Sequence, residues 1–302
     1  MIDEIQNITI NVASCEEYPS DSMKEKYSLS KMDDPGNGKI NIAADAEWGV
    51  LHALETLSQL LHPIRNQLSF NNTQVEDFPR FGYRGLLIDT SRHFLPVSMI
   101  KATISAMSWN KMNVLHWHIV DLDSFPYQSK ALPLLSALGS YTEFNHIYSQ
   151  KDINDIIEYG RYRGVRIVPE FDTPGHTLSW GPGAGEGFLT QCYNHDHKPI
   201  DGEFGPIDPT QKRNYDLMTT LFTELSTVFS DKFLHLGGDE VPFGCWQSNP
   251  AIVEYMKKND IRTFGDLESL WVQGVIDIAE SLDLDYVVWE EVFSNGVKVR
   301  LQ

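Results

Sequence analysis

The sequence predicts an α/β fold, a parallel sheet built from repeated strand–loop–helix units spaced as in a TIM (β/α)8 barrel, preceded by a small α+β domain. Three observations carry this. From Gly85 onward five short apolar runs, "GLLIDTS", "NVLHWHIV", "VRIVPEFD", "KFLHLGGDE" and "YVVWEEV", each end in polar or charged residues, as buried parallel strands do when their C-terminal ends open onto a site. Helical patterns lie between them. Before residue 80 the pattern differs, with alternating strands and one amphipathic helix. Five strands fall short of the eight a barrel needs. The residues alone therefore leave an open, doubly wound sheet and an incomplete barrel as alternatives.

Taken in order, "NITINV" and "KINIAA" alternate as half-buried strands do, and "DPGNG" (Asp34 to Gly38) between them is turn chemistry. "AEWGVLHALETLSQLLH" follows as a helix with Val50, Leu54, Leu57 and Leu61 on one face. "EDFPRFGYRG" reads as a boundary, giving domains at 1–80 and 81–302. "SQKDINDIIEYGRYRG" opens with Ser149 and Asp152 in capping-box spacing and closes at Gly164. In "DPTQKRNYDLMTTLFTELSTVF", Pro209 occupies a first-turn position, and Met218, Leu221, Phe222, Leu225 and Phe229 form the apolar face. "NPAIVEYM" and "TFGDLESLWVQGVIDIAESL" supply further helices.

Forty-two acids against 24 bases give a formal charge of −18. Such a surface disfavours a nucleic-acid partner, because it would not neutralise phosphates. It suits a neutral or sugar-like substrate and an acidic or extracellular compartment. No apolar run reaches the roughly 18 residues of a membrane span. "MIDEIQNITI" has neither the basic nor the apolar region of a signal peptide, so the protein is expected to be cytosolic or to lack its beginning here. Cys15, Cys192 and Cys245 are an odd set, which in a secreted protein suggests one bridge and one leftover thiol. Asn7 and Asn71 head glycosylation sequons.

The chemistry is written at the strand ends. These carry Asp89 and Arg92; His116, His118 and Asp121; Glu170, Asp172 and His176; Asp239 and Glu240; and Trp289, Glu290 and Glu291. On a barrel all these tips converge on one face. His116 and His118 share a strand face, as in metallohydrolases, but that pair would need further ligands at matching depth, and beyond the histidine of "PGH" the later strands offer acids and tryptophan. Hydrolysis of a glycosidic bond fits better, since it needs a protonated acid at the leaving oxygen and a nucleophile or charge stabiliser at the anomeric carbon. Asp239 and Glu240 are adjacent, and adjacent side chains do not readily flank both sides of one bond. A division of labour follows, in which one protonates the leaving group and the other holds a nucleophile supplied by the substrate.

"HLGGDEVPFGCW", "GLLIDTSRHFLPV", "NVLHWHIVD", "SFPYQS", "PEFDTPGHTLSWGPG" and "VVWEEVF" resemble, in order, the β-N-acetylhexosaminidases of glycoside hydrolase family 20, above all the α and β chains of the animal lysosomal enzymes. The resemblance runs from about Trp48 to Phe293 and selects the incomplete TIM barrel. It implies a retaining reaction in which the 2-acetamido oxygen of the substrate attacks the anomeric carbon to form an oxazolinium ion; substrate-assisted members of this family depart from the two-carboxylate rule. It also implies that Glu240 is general acid and then base, and that Asp239 orients the acetamido group. Asp121 and His176 form a relay behind Glu240, Arg92 binds sugar hydroxyls, and Trp289 walls the acetamido pocket. Cys192–Cys245 matches the family's disulfide pattern, across neighbouring βα loops. No cofactor is implied. The expected partners are oligosaccharides or glycoconjugates ending in N-acetylhexosamine, with a second chain completing a dimer, and the expected location is lysosomal or secreted. Relatives continue with three more strands that complete the acetamido pocket, and often carry a second acid where this chain has Leu122. A truncated, non-catalytic sugar binder is the alternative reading.

Overall fold

A computed structural model describes residues 5–31, 38–64 and 67–297. The turn expected at Asp34–Gly38 falls outside them, apart from Gly38, which opens a strand. By internal contacts the chain divides into two units, one comprising Met1–Leu86, Ile100–Leu115 and Glu158–Arg166, the other Leu87–Met99, His116–Ile157 and Ile167–Gln302.

The first unit begins with β1 (Ile5–Val12), β2 (Tyr27–Lys31), β3 (Gly38–Ala44), α1 (Glu47–Leu60), β4 (His62–Ile64), β5 (Gln67–Ser69) and β6 (Thr73–Asp77). β4 and β5 form a hairpin, and the remaining strands make a four-stranded sheet in the order β1-β3-β2-β6. Alternation puts Tyr27, Leu29, Ile40 and Ile42 on its inner face, where they pack with Ala53 and Leu57 of α1 and with Phe70. Lys31 also points inward, and its Nζ donates to the Phe70 carbonyl at 2.8 Å. Two expectations need correcting. In β1 the apolar residues Ile8, Ile10 and Val12 stay exposed, because β1 lies at the edge of the sheet among the described residues and the core gathers over β2 and β3 instead. On α1, Val50 and Leu57 are buried but Leu54 is exposed, and Trp48, His52 and Ala53 take part in the inner face. His52 can be buried there because Glu25 Oε1 lies 2.8 Å from its Nε2.

The chain continues through β7 (Gly85–Asp89), α2 (Val97–Trp109), β8 (Val114–Val120), α3 (Leu134–Gly139), α4 (Gln150–Arg161), β9 (Arg166–Phe171), α5 (Gly181–Ala184), β10 (Leu189–Tyr193), β11 (Pro199–Ile207), α6 (Lys212–Val228), β12 (Phe233–His235), α7 (Gly244–Ser248), α8 (Pro250–Lys258), α9 (Phe264–Ser281), β13 (Asp285–Val287) and α10 (Glu291–Ser294). Five of these strands form one sheet in the order β13-β12-β9-β8-β7, and β12 runs parallel to both β9 and β13. The spatial order follows the chain order without reversal. A doubly wound sheet reverses direction at a switch point, so the winding is that of a barrel. Every residue of β8 and β9 is buried, as expected of strands covered on both faces. β7 and β13 have no outer partner strand among the described residues. Leu86 and Leu87 of β7 are accordingly 40% and 41% exposed.

Local signals start the helices. The backbone N–H groups of Ser149 and Asp152 each donate to the other's side chain before α4, and Thr263 and Asp266 do the same at α9. Asn249 caps α8 by accepting from Ala251 and Ile252. The expected face of α6, from Met218 to Phe229, is buried throughout. Pro209, however, precedes that helix. Asp208 Oδ1 accepts the Thr210 N–H at 2.9 Å and makes a turn first, so α6 begins at Lys212. The run "YVVWEEV" is strand only to Val287, and Glu291 opens α10. The expected loop around residue 190 contains the β10–β11 hairpin, whose Cys192 is disulfide-bonded to Cys245 of α7 with the Cα atoms 4.4 Å apart. Cys15 is free and exposed.

The glycine pair after β12 decides where the next two residues go. Gly237 has φ +72°, and a Cβ there would stand 1.7 Å from Asp172 Oδ1 and 2.6 Å from Asp172 Cα. Asp172 cannot retreat freely, since its Oδ1 accepts the Gly238 N–H at 2.9 Å. Gly237→Ala combines left-handed strain with overpacking and is expected to cost about 2–5 kcal/mol, read as a fall of several degrees in Tm. Gly244→Ala, into open space, should change stability by less than about 0.5 kcal/mol, and equal Tm values for the two variants would contradict this account. The open edges of β7 and β13 generate a second expectation. Purified residues 1–302 should self-associate in a concentration-dependent way, because unpaired strand edges template further pairing. Sedimentation showing a monomer at all concentrations would argue that the edges are protected.

Candidate active site

The polar residues lie within or just after strands of one sheet. β7 delivers Asp89 and Arg92, β8 delivers His116, His118 and Asp121, β9 delivers Glu170, Asp172 and His176, β12 delivers Asp239 and Glu240, and β13 delivers Trp289. His116 and His118 share a face of β8 because side chains alternate along a strand. His176 and Glu240 both have positive φ, 57° and 49°. For residues with a Cβ this costs on the order of 1–3 kcal/mol each, so the surrounding contacts must hold both residues in place.

Those contacts form a continuous row. Asp121, with no exposed surface, lies 2.8 Å from Arg92 Nη2, 2.8 Å from His118 Nε2 and 3.1 Å from His176 Nδ1. The other ring nitrogen of His176 faces both terminal carboxylates, at 3.6 Å from Asp239 Oδ2 and 3.5 Å from Glu240 Oε2. The two acids differ in setting, with side chains 24% and 73% exposed respectively. Asp239 Oδ1 is buried and has no hydrogen-bond partner among the described residues. At the other end, Glu170 lies 2.6 Å from His116 Nε2 and 2.8 Å from His118 Nδ1, and accepts the Trp289 indole N–H at 2.8 Å.

The charges along the row support one another. Burial opposes the charge of Asp121, but hydrogen bonds from His118 and His176 outweigh it and hold the carboxyl well below its usual range. Glu170 behaves alike, with hydrogen bonds from His116 and His118 overcoming burial. Between them, and against its own burial, His118 is pushed up to about 10 by Asp121 and Glu170, so it is an imidazolium. Asp121 also raises His176, over the opposing effect of burial. Asp172 goes the other way. Burial, then the neighbouring charges of Asp239 and Glu170, raise its carboxyl well above the usual value. His235 is neutral, lowered to about 4 by burial.

The structure thus brings together the predicted Asp121, His176, Asp239, Glu240 and Arg92, and connects Trp289 to the same row. Arg92 is partly committed, to Asp89 at 2.9 Å as well as Asp121. Leu122 contributes only its backbone N–H, to Asp121, and its side chain is exposed. Glu290 is exposed, so it does not join the row. Asn7 and Asn71 are exposed. The sequence reading saw Glu170, Asp172 and His118 as strand-end polar residues but gave them no role. Their common signal was a charged residue inside a run otherwise fit for burial. His116, Glu170 and His235 have donor atoms close enough to hold a cation, but His116 and His118 are already hydrogen-bonded to one oxygen of Glu170, so proximity is all that favours a metal there.

Comparison with known proteins bears on this geometry. The sequence pattern described as "Glycosyl hydrolase family 20, catalytic domain" matches residues 81–302, and one described as "beta-acetyl hexosaminidase like" matches residues 2–60. The chain is 49% identical over 294 residues to the beta-hexosaminidase subunit alpha of Mus musculus, covering 97% of this chain and 54% of that protein. It is 46% identical over 301 residues to the beta-hexosaminidase subunit beta of Homo sapiens, covering 98% and 53%. It therefore spans about half the length of the curated relatives it matches. Among solved structures it is similar to a chitobiase of Flavobacterium johnsoniae, with a TM-score of 0.82 at 32% identity over 94% of this chain and 42% of that one. An exo-β-N-acetylglucosaminidase of Vibrio harveyi, solved with N-acetylglucosamine, gives a TM-score of 0.77 at 26% identity over 94% and 46%. The likeness gives the five-stranded sheet a TIM-barrel-like setting. With its catalytic-domain match extending over residues 81–302, this chain belongs to glycosyl hydrolase family 20.

Proposed function

We propose that the complete protein is a retaining exo-glycosidase that removes terminal non-reducing N-acetyl-β-D-hexosamine residues by substrate-assisted catalysis. The observation that carries this is the pairing of Asp239 and Glu240 at one strand exit in two different settings, one half-buried with an unpartnered oxygen, the other open to solvent. In the first step the acetamido oxygen bonds to the anomeric carbon as the glycosidic C–O bond breaks. Glu240 gives its proton to the leaving oxygen. Asp239 Oδ1 accepts the acetamido N–H, and its negative charge balances the positive charge developing on the oxazolinium ring. In the second step Glu240 takes a proton from water, the water oxygen bonds to the anomeric carbon, and the ring reopens. His176, held by Asp121, stands behind both acids and steadies their charge. Trp289 walls the acetamido pocket, and Arg92 uses its remaining donors on sugar hydroxyls.

In this reading residues 81–302 are the N-terminal part of a catalytic barrel and residues 1–80 part of a preceding α+β domain. The complete protein would act as a dimer on glycoconjugates in a lysosomal or secreted setting, with Asn7 and Asn71 available for glycosylation. The other reading, a truncated sugar binder without turnover, is favoured by one observation. The open edge of β13 lies immediately before Trp289, so the acetamido pocket has no wall beyond it among the described residues.

Two substitutions in the complete protein separate the roles. Glu240→Gln should lower turnover of substrates with poor leaving groups by about 10²–10⁴-fold. Aryl glycosides with acidic phenols should lose much less, since they need little protonation; equal losses would remove Glu240 from the acid role. Asp239→Asn should weaken binding of a thiazoline mimic of the oxazolinium ion and slow N-acetyl substrates. Unchanged inhibition by that mimic would show that Asp239 does not touch the acetamido group. Sugar binding by the unmodified complete protein, with no turnover of any aryl N-acetylhexosaminide, would favour the second reading.

A further inference from the structure

Glu170 has no place in the chemistry above, yet four side chains converge on it near the site. Its side chain has no exposed surface. One oxygen lies 2.6 Å from His116 Nε2 and 2.8 Å from His118 Nδ1, and the other accepts the Trp289 indole N–H at 2.8 Å and lies 3.4 Å from His235 Nδ1. Trp289 is itself only half-buried. One side of its indole packs on histidines, at 4.8 Å from the His235 ring centroid and 5.6 Å from that of His116. Those two imidazoles stack on each other at 4.5 Å. The indole is therefore backed by two rings and tethered at its single donor.

A tryptophan at the mouth of a half-open site has two side-chain torsions free unless something fixes them. Ring packing restricts the tilt of the indole, but an edge hydrogen bond fixes which way it faces. Glu170 is the one group the indole N–H reaches among the described residues. The carboxylate is in turn immobilised from β8 by two histidines. His118 then bonds Asp121, which bonds His176, so the tether of the indole and the row behind the acids share one anchor.

We propose that Glu170 is a positioning residue that sets the orientation of Trp289 as the wall of the acetamido pocket, and so governs recognition of the N-acetyl group rather than bond breaking. This rests on the reading of Trp289 given above. Glu170 touches no substrate; it acts through the indole. Its removal should therefore appear in KM for N-acetyl substrates more than in kcat, and only while Trp289 is there to be oriented.

The test is a double-mutant cycle in the complete protein, with KM and kcat measured on an aryl N-acetylglucosaminide. Glu170→Gln should raise KM by roughly 10- to 100-fold, the range typical when an orienting partner is lost, and lower kcat by a smaller factor. In a Trp289→Phe background the same change should raise KM by less than about twofold, because the indole donor is already gone. An unchanged KM, or the same factor in both backgrounds, would overturn the proposal, since a role confined to stability would be additive. If Glu170→Gln does not fold, the unmodified protein still decides the matter. The Trp289 indole N–H resonance, assigned by its loss in Trp289→Phe, should be protected from solvent exchange; free exchange would mean that no tether exists. That readout needs no turnover. An inactive complete protein with a protected indole would defeat the proposed function and leave the tether standing.

Discussion

Placing an ionised carboxylate in a protein interior costs several kcal/mol unless its oxygens are bonded and its charge is balanced. Glu170 meets both conditions, and much of the second unit is arranged so that it can. Its partners come from β8, from the end of β12 and from the residues after β13, so one side chain on β9 cross-links neighbouring strands of the sheet. The row it begins alternates in sign: Glu170 negative, His118 positive, Asp121 negative, then Arg92 and His176 on the far side of Asp121. Alternation is what makes such a row tolerable. Each charge is screened by its neighbours rather than by water, and removing any one would leave the next uncompensated.

The same arrangement separates the two adjacent acids, Asp239 and Glu240. His176 faces both, yet only Glu240 stands in solvent. Asp239 is backed by Asp172, whose carboxyl is raised well above its usual value by burial and by the charges of Asp239 and Glu170. A carboxyl whose affinity for its proton is raised lessens the repulsion between two adjacent acids. The glycine pair is what allows the close approach, since the backbone at Gly237 passes where no side chain fits.

Much of this was legible in the sequence because it depends on short-range pattern. The five strands of the main sheet were readable as apolar runs, and the start of α4 as a capping box. The adjacent acids after "HLGG" announced themselves by composition alone. What escaped had its cause elsewhere in the chain. Leu54 is exposed because α1 turns His52 inward toward Glu25, a partner 27 residues away. The helix after Pro209 starts late because Asp208 closes a turn first. Glu170 read as one polar residue among many, because its importance lies in four partners drawn from three other strand segments, and no local periodicity encodes that. The winding of the sheet was open for the same reason, since strand order is a long-range property.

That winding has a consequence for how the molecule is made. Each strand of the main sheet lies beside the one that precedes it within the sheet in chain order, so a chain emerging from the ribosome always has the next partner edge already in place. Contacts of this kind close modest loops one after another, and domains assemble as units during synthesis. The bridge between Cys192 and Cys245 joins residues that are both translated before β13. Oxidation can therefore lock the hairpin over the fourth strand's exit while the fifth strand is still being synthesised. The anchor carboxylate on β9 would then wait, with its histidines already in place, for the tryptophan that arrives last.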